Sequence, residues 1–495
     1  MPQNNWRTAP RSLVAGLVGM TIAACHASVG PAPASISTGR DAALRTFVDS
    51  MADAPEFSNA HWGILIVDPS TGDTLYSRNA GKLFMPASNM KILTSATALT
   101  QLGPEYRFKT AFAARGAVSD GTLHGDLLVF GRGDPSVSDH MLGDGMIPLR
   151  LIADSIAARG IQRITGRVLS AGDAFPADVF GYGWTYDDFE DSYSAPIDEL
   201  LFNEGFSTIK LRGGDKPGDP VTFETRPARS VPRVNIAATT APAGTKPDVK
   251  SRKDSVTWVE TISGHLAVHD TATLELVHHN PDDAYVAAMT EALVARGIAV
   301  DGGAAANEGR VDTLATLSSP PLSEILKALM KPSQNQIAEM LFRTIALEKY
   351  GAGRPDSAAV AVGAQIAQWG AAVPSEAVVR DGSGLSRYDY ISPRTVVRIL
   401  DAMRKSPNFK VYYDAMPIAG VDGTIRNRMK GTPAENNVHA KTGSVALSRS
   451  LSGYVTTAGG RMLIFSFLSN NWTVPTRSVE RVQDAIAARL AGMRR

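Results

Sequence analysis

The sequence contains Pro86-Ala87-Ser88-Asn89-Met90-Lys91 at the start of a predicted helix. Apolar residues recur at helical spacing from Met90 to Leu99, and Gly103-Pro104 is a typical helix stop. Residues three positions apart lie on one face of a helix, so the hydroxyl of Ser88 and the amine of Lys91 are expected to be neighbours. A serine beside a lysine at a helix start is a candidate nucleophile with its base.

Two further short motifs follow in order along the chain. Ser333-Gln334-Asn335 precedes a predicted helix, and Lys441-Thr442-Gly443 lies on a predicted strand near the C-terminus. Each motif alone is weak, because a two-letter pattern occurs by chance about once in a chain of this length. Their order and their positions on predicted elements make the combination informative.

The two ends of the chain are predicted to form one α+β domain. A hairpin is predicted from Trp62–Val67 and Thr74–Ser77, and a second one near the C-terminus from Leu451–Thr456 and Arg461–Ser469. An amphipathic helix, Val479–Met493, closes the chain. We therefore expect an antiparallel sheet that contains strands from both chain ends.

The N-terminal region has the features of an export signal. Arg7 and Arg11 precede an apolar run from Leu13 to Ala24, which is too short to span a bilayer stably. Residues 1–24 are predicted to be a signal peptide and residues 25–44 a Pro/Ala/Ser-rich tether. Ile22-Ala23-Ala24-Cys25 resembles the lipobox of bacterial lipoproteins, which makes Cys25 a candidate lipid anchor; a simple cleaved signal is the alternative.

The region between the first two motifs has a different sequence pattern. From about residue 106 to residue 304, short β-like runs alternate with Gly, Asp and Pro, which predicts mostly β inserted material. The domain with the three motifs is then formed by residues 45–105 and 305–495.

The three motifs together resemble those of the penicillin-recognising serine enzymes, which are the penicillin-binding proteins and the serine β-lactamases. Two longer stretches, Asp381 to Arg387 and Ile418 to Thr424, are similar to the class C low-molecular-mass penicillin-binding proteins, a D-alanyl-D-alanine carboxypeptidase/endopeptidase family. That family also has a long insertion between its first two motifs, as here between Ser88 and Ser333. The resemblance covers about residues 45 to 490. It implies a β-lactamase/DD-peptidase-like transpeptidase domain, an antiparallel sheet with helices, carrying two mostly β inserted domains.

The chemistry of a serine–lysine pair sets a requirement on the lysine. A lysine can accept the serine proton only if it is neutral near pH 7, and both burial and a second nearby cation lower its pKa. We expect burial of Lys91 and the proximity of Lys441 to meet this requirement together. Ser383, in Gly382-Ser383-Gly384, is interpreted as part of a structural turn and not as a second nucleophile.

The resemblance implies roles for the remaining motif residues. Ser333 would relay a proton to the leaving amine, Asn335 would bind the substrate amide, and the backbone of Ser88 and Ser444 would form an oxyanion hole. Lys441 and Thr442, with Gly443 after them, would bind the terminal carboxylate. The resemblance also implies a substrate-binding acid in Gly183-Trp184-Thr185-Tyr186-Asp187-Asp188, and leaves open whether Asp187 or Asp188 provides it.

The implied function is cleavage of D-Ala-D-Ala and D-Ala–diamino acid bonds in peptidoglycan stem peptides and cross-links, with β-lactams as inhibitors. The alternatives are a serine β-lactamase and a catalytically idle wall-binding scaffold. With 50 basic and 49 acidic residues the chain lacks the overall positive electrostatic field that a nucleic-acid-binding protein uses. No metal or other cofactor is expected, and the single cysteine allows no intrachain disulfide. The implied location is exported and periplasmic, with Cys25 as the candidate membrane anchor.

Overall fold

The computed structural model describes residues 41–226, 232–254, 257–303, 309–371 and 375–494. The predicted signal peptide, Cys25 and the tether up to residue 40 lie outside the described residues. Residues 41–44 of the predicted tether belong to the first helix. The described helices are, in chain order, α1 (Asp41–Ala52), α2 (Met90–Gln101), α3 (Asp139–Leu142), α4 (Met146–Ala158), α5 (Pro281–Ala295), α6 (Leu322–Met330), α7 (Asn335–Tyr350), α8 (Pro355–Gln368), α9 (Pro393–Lys405), α10 (Phe409–Ala415) and α11 (Thr476–Ala491).

The strands form several separate sheets. They are, in chain order, β1 (His61–Asp68), β2 (Asp73–Arg78), β3 (Lys109–Ser119), β4 (Thr122–Phe130), β5 (Arg163–Ile164), β6 (Val168–Ala171), β7 (Phe206–Arg212), β8 (Thr222–Arg226), β9 (Arg233–Ile236), β10 (Thr239–Ala241), β11 (Asp248–Lys253), β12 (Val259–Ala267), β13 (Thr271–Val277), β14 (Ala299–Val300), β15 (Val311–Ser318), β16 (Ala377–Val378), β17 (Tyr390–Ile391), β18 (His439–Val445), β19 (Ser448–Thr456) and β20 (Met462–Asn470).

The main sheet joins both ends of the chain. Its strand order is β18-β19-β20-β1-β2, all antiparallel, and β1 pairs with β20 so that Trp62 lies opposite Ser469. Strand β1 is buried along nearly its whole length because helices cover both faces of the sheet. Ile64 packs towards α1 and α11, while its neighbour Leu65 packs towards the helices around α2. The α+β class and the joining of the chain ends are confirmed.

Helix α2 lies in the middle of the helical layer. Its residues from Met90 to Leu99 are all buried, and α6, α7, α8, α9 and α10 contribute to the same core. A helix buried on all sides has no solvent-facing position for a charged residue. Lys91 is therefore held inside the protein by the packing of the whole layer.

The residues between α2 and α6 form three further sheets. One has the order β14-β5-β4-β3-β15 with β6 beside β4, and α4 and α5 pack on it; the others are β10-β12-β11 with β9, and β13-β7-β8. The region is rich in strands, as predicted, but α4 and α5 were not predicted. The pairing of β15 with β3 extends this region to Ser318, so we propose its end there instead of at residue 304.

Among the residues that the structure describes, none of the helices combines the length and the apolar character needed to cross a membrane.

Candidate active site

Ser88 lies where the chain enters α2. A 3-10 turn, Ala87–Asn89, leads directly into the helix, and Ser88 is only partly buried whereas Ala87 and Asn89 are buried. Ala87 has a φ of +49°, a left-handed conformation that an alanine seldom adopts. Strained backbone of this kind concentrates at functional sites. The Asn89 amide donates a 2.9 Å hydrogen bond to the Lys441 carbonyl, which ties the first motif to strand β18.

Lys91 is fully buried beneath Ser88. Its Nζ donates to Ser88 Oγ at 2.9 Å, to Asn335 Oδ1 at 2.6 Å and to the Ser383 carbonyl at 2.7 Å. Burial lowers the pKa of Lys91 to about 7, although three buried carboxyl groups, Asp381, Glu339 and Asp389, act to raise it. Lys91 is therefore poised between its charged and neutral forms near neutral pH.

The expected cause of this pKa is corrected in one respect. Burial is the cause that lowers the pKa of Lys91, and repulsion between the two lysines is felt at Lys441, whose own pKa is lowered well below its usual range. Burial is also the largest cause at Lys441, followed by Lys91 and Arg449. Burial is thus the largest cause of the lowered pKa of both lysines.

A tight turn at residues 381–384 holds the carbonyl that Lys91 uses. Glu339 Oε1 accepts hydrogen bonds from the backbone N–H of Gly382 at 3.0 Å and of Ser383 at 2.7 Å. Asp381 accepts further bonds from the Gly384 N–H at 2.6 Å and from Trp184 Nε1 at 2.9 Å. The Ser383 side chain is fully buried and points to Asp381 instead of the cavity, which agrees with a structural turn.

Burial disfavours the charged form of two carboxyl groups near this turn. Burial raises the pKa of Glu339 to about 8, and that of Asp389 well above its usual range, with the Asp381 carboxylate adding to both shifts. Sequence reasoning missed Glu339. Its position four residues after Asn335, on the same face of α7, was the signal that could have indicated it.

The second motif forms the opposite wall. Ser333 has a φ of +71°, and its Oγ accepts a 2.7 Å hydrogen bond from Lys441 Nζ. The Gln334 side chain caps α7 and also donates to Glu204 at 2.5 Å, while the Asn335 amide donates to the Tyr193 carbonyl at 2.8 Å. Residues of the inserted region therefore fix the conformation of this motif.

The third motif lies on β18 close to Ser88. A Cβ atom at Gly443 would lie 2.4 Å from the Pro86 carbonyl oxygen and 3.0 Å from the Ser88 nitrogen, so only glycine allows this approach. Thr442 Oγ1 donates to Thr424 at 2.7 Å, and Ser444 is exposed. The strand thus passes beside the backbone of the serine.

A cavity of about 750 Å³ connects the three motifs. The residues named from sequence that line it are Ser88, Asp187, Asp188, Ser333, Asn335, Thr442, Gly443 and Ser444. Lys91 and Lys441 lie buried beneath it. The structure therefore brings together all of these residues; only Cys25 lies outside the described part.

The two aspartates on the cavity wall differ in their surroundings. Asp188 is half-buried and accepts hydrogen bonds from Thr185 Oγ1 at 2.5 Å and from the Tyr193 hydroxyl at 2.6 Å. Asp187 is exposed. Within the described residues, no group of three or more His, Cys, Asp or Glu side chains is arranged to hold a metal ion.

Comparison with known proteins identifies relatives that match most of the chain. The model of the D-Ala-D-Ala carboxypeptidase 3 (S13) family matches residues 44–493. A D-alanyl-D-alanine carboxypeptidase of Actinomadura sp. (strain R39) is 34% identical over 93% of this chain and 87% of its own. D-alanyl-D-alanine carboxypeptidase DacB of Haemophilus influenzae is 28% identical over 85% of this chain and 87% of its own.

Solved structures agree with these relatives. The crystal structure of penicillin binding protein 4 from Haemophilus influenzae superposes with a TM-score of 0.76 at 25% identity, covering 90% of this chain and 99% of that one. A second structure of that protein, complexed with a β-lactam, has a TM-score of 0.71 at 25% identity over the same shares of the two chains.

Proposed function

Because the chain belongs to the D-Ala-D-Ala carboxypeptidase 3 (S13) family, we propose that Ser88 is the nucleophile with which it cleaves D-Ala-D-Ala peptide bonds. The enzyme is a serine-type D-Ala-D-Ala peptidase that acts on bacterial peptidoglycan and binds penicillin. One observation carries the residue assignment. Lys91 Nζ lies 2.9 Å from Ser88 Oγ, and burial places its pKa at about 7, so the lysine can take the serine proton.

Acylation follows from this geometry. Ser88 Oγ transfers its proton to neutral Lys91 and attacks the carbonyl carbon of the penultimate D-Ala, whose oxygen develops negative charge. The backbone N–H groups of Ser88 and Ser444 would stabilise that oxyanion, and the close approach of Gly443 to Ser88 supports this arrangement. The C–N bond then breaks as the proton taken from the serine is passed on to the departing amine, which leaves Lys91 neutral and an ester on Ser88. Water attacks this ester, one of its protons returns through Lys91 to Ser88 Oγ, and the shortened peptide leaves with a free carboxyl group.

The leaving group is served by the second and third motifs. The 2.7 Å contact between Lys441 Nζ and Ser333 Oγ supports a path for the proton that the departing amine receives. Lys441 and Thr442 would bind the terminal carboxylate. The pKa of Lys441 is low in the free enzyme, and a bound carboxylate would raise it and favour the charged form. The charged contact would thus form only with a substrate that carries the carboxylate.

We assign the substrate-binding acid of the cavity to Asp188. Hydrogen bonds from Thr185 and Tyr193 hold its carboxylate in place, and the Tyr193 carbonyl also binds Asn335. Such a pre-oriented carboxylate suits the amino group of a diamino acid in a cross-link better than the exposed Asp187 does. With D-Ala–diamino acid cross-links as substrates, Asp188→Asn should raise KM about tenfold or more, and the matched Asp187→Asn should leave it within about twofold. The reverse order would contradict the assignment.

Acylation by penicillin tests the proposal directly. Mass spectrometry after incubation with penicillin should locate the adduct on the peptide that contains Ser88. A long-lived adduct supports the peptidase, and rapid release of hydrolysed penicillin would indicate the β-lactamase alternative. No adduct, or an adduct on Ser383, would overturn the assignment. Digestion of purified cross-linked muropeptides would then show how D-Ala release and cross-link cleavage are balanced.

We also propose the location. A peptidoglycan enzyme acts outside the cytoplasm, and the order Arg7, Arg11 and apolar run agrees with export. Cys25 would carry the lipid that anchors the mature enzyme to a membrane, which requires more than one acyl chain for stable binding. Cys25→Ala should move the protein from the membrane fraction to the soluble exported fraction without changing muropeptide cleavage. A wild-type protein already found in the soluble fraction would refute the anchor.

A further inference from the structure

Three exposed tyrosines lie beside the active-site cavity. Tyr182, Tyr186 and Tyr388 expose 64%, 72% and 52% of their surface, respectively. We call these three residues the aromatic rim. Neither the motifs nor the proposed chemistry uses them, and large exposed apolar surface usually marks a site of interaction.

The aromatic rim borders the cavity directly. Tyr186 lies between two residues that line the cavity, Thr185 and Asp187, and Tyr388 follows a third, Arg387. Consecutive Cα atoms are about 3.8 Å apart, so the rim begins where the cavity wall ends. A molecule that fills the cavity and extends outward on this side would reach the rim.

Two of the three rings of the rim, those of Tyr182 and Tyr388, are held against each other. The rings of Tyr182 and Tyr388 are 5.4 Å apart, and Ser386 Oγ bonds the Tyr182 carbonyl at 2.7 Å. A Cβ atom at Gly183, whose φ is +78°, would lie 2.3 Å from the Tyr388 ring, so glycine allows the ring to pack there. Rings held in place before binding lose little conformational entropy on binding a ligand.

Aromatic rings also support the rim from behind. Phe180 stacks on Phe189 at 4.5 Å, and Trp184 packs against Phe180 at 6.3 Å while its Nε1 bonds Asp381. Trp184 is buried, so its ring belongs to the support and not to the exposed surface. The support therefore connects the rim to the turn that holds Lys91.

The composition of the rim favours a sugar ligand over an apolar protein surface. All the large exposed hydrophobic side chains of residues 180–190 and 380–390 are tyrosines, each with a hydroxyl group, and no aliphatic side chain is among them. The Arg380 guanidinium lies 5.6 Å from the Tyr182 ring centre and adds a hydrogen-bond donor. The C–H face of a sugar ring packs on the electron-rich face of an aromatic ring, and its hydroxyls bind polar groups at the ring edge.

We propose that the aromatic rim binds sugar rings of the glycan strand to which the substrate stem peptide is attached. This inference rests on the proposed function, because it takes peptidoglycan as the polymer. A stem of about four residues spans at most about 14 Å, so a peptide whose end lies at Ser88 brings its glycan strand close to the cavity entrance. The rim would make the enzyme prefer polymeric over short soluble substrates.

Binding of bare glycan strands tests the rim apart from catalysis. Strands freed of peptides by an amidase are incubated with the full-length enzyme, and bound protein is measured by co-sedimentation. Tyr182→Ala and Tyr186→Ala should each weaken binding about threefold to tenfold, as expected for the loss of one stacked ring. Tyr350→Ala is the matched control, because Tyr350 is an exposed tyrosine at the end of α7, outside the rim.

Penicillin acylation measured in parallel separates this inference from the proposed function. All variants should acylate within about twofold of the wild type, and cleavage of intact cross-linked polymer should fall only in the rim variants. The inference is overturned if wild-type enzyme does not bind bare strands, if the rim variants bind as well as Tyr350→Ala, or if they lose acylation as well. Absence of acylation in the wild type would instead overturn the proposed function. Tyr186→Ala keeps the test valid if Tyr182→Ala does not fold, because Tyr186 is 72% exposed and its removal leaves the buried core unchanged.

Discussion

Replacing Asn335 by aspartate should trap Lys91 in its charged form. Asn335 Oδ1 lies 2.6 Å from Lys91 Nζ, and Asn335→Asp would place a carboxylate there with almost no change of shape. At an effective dielectric constant of about 20, two unit charges at this distance attract by about 6 kcal/mol. Desolvation of the new carboxylate offsets about half of this, which leaves a rise of about two units in the pKa of Lys91.

The consequence for the rate follows from the fraction of neutral lysine. With a pKa of about 7, about half of the Lys91 population is neutral at pH 7. With a pKa of about 9, about one molecule in a hundred is neutral, so acylation should be about 50-fold slower at pH 7. Since neutral lysine returns as pH rises, the defect should shrink at pH 9.

The assay is the second-order rate constant for acylation by a fluorescent penicillin, measured from pH 5 to pH 10. Asn335→Ala is the control, because it removes the amide without adding charge. Loss of an acceptor for the ammonium group lowers the pKa of Lys91. In this control the acid limb, which is the part of the pH–rate profile where the rate falls as Lys91 becomes protonated, should therefore stay in place or move to lower pH. The reasoning is refuted if both variants shift the acid limb equally, or if Asn335→Asp lowers the rate by the same factor at every pH.

Gly443→Ala should reduce the rate of acylation about 100-fold or more, because the new Cβ would lie 2.4 Å from the Pro86 carbonyl oxygen and push β18 away from Ser88. Acylation kinetics measures this loss, and thermal unfolding of the variant would show whether it is folded. Lys91→Arg should abolish acylation since guanidinium does not give up its proton near neutral pH, whereas Lys441→Arg should keep some, and equal residual rates would contradict the division of roles. Acid should destabilise the inserted region through His278, because burial lowers its pKa to about 4 in the folded protein, below the 6.5 expected when unfolded. The stability that its neutral form contributes is present above pH 6.5 and is lost as pH falls towards 4. The free energy of unfolding should therefore fall by about 2 kcal/mol between pH 7 and pH 5. Urea unfolding of the wild type and of His278→Gln at both pH values would measure this difference.

The parts of the fold that sequence predicted are those with a clear local pattern. The C-terminal strands β19 and β20 end within a few residues of their predicted bounds, because apolar residues continue along them and Gly459-Gly460 indicates the turn. Helix α4 was missed, since Pro148 interrupts its apolar run near the start. The pairing of β3 with β15 joins segments about 200 residues apart and has no local signal.

In the site, too, sequence predicted the contact that local geometry determines and not those between distant parts of the chain. Ser88 and Lys91 are three residues apart on one helix, so their contact follows from helix geometry. The contacts of Lys91 with Asn335 and Ser383 join residues 244 and 292 positions apart, and only motif order indicated the first of them. The depth at which Lys91 is buried, which sets its pKa, depends on the packing of the complete helical layer.

The inserted region belongs to the active site and is not merely attached to the peptidase domain. Its Trp184 bonds Asp381, which shapes the turn whose carbonyl accepts from Lys91. Its Tyr193 carbonyl accepts from the Asn335 amide, whose oxygen in turn accepts from Lys91. Two of the three acceptors around the lysine are therefore positioned by residues inserted between the first and second motifs. Without Trp184 and Tyr193, the turn would still be held by Glu339, but the turn and the Asn335 side chain would each lose one fixing contact. The inserted region therefore helps to orient the amine of Lys91 in this chain.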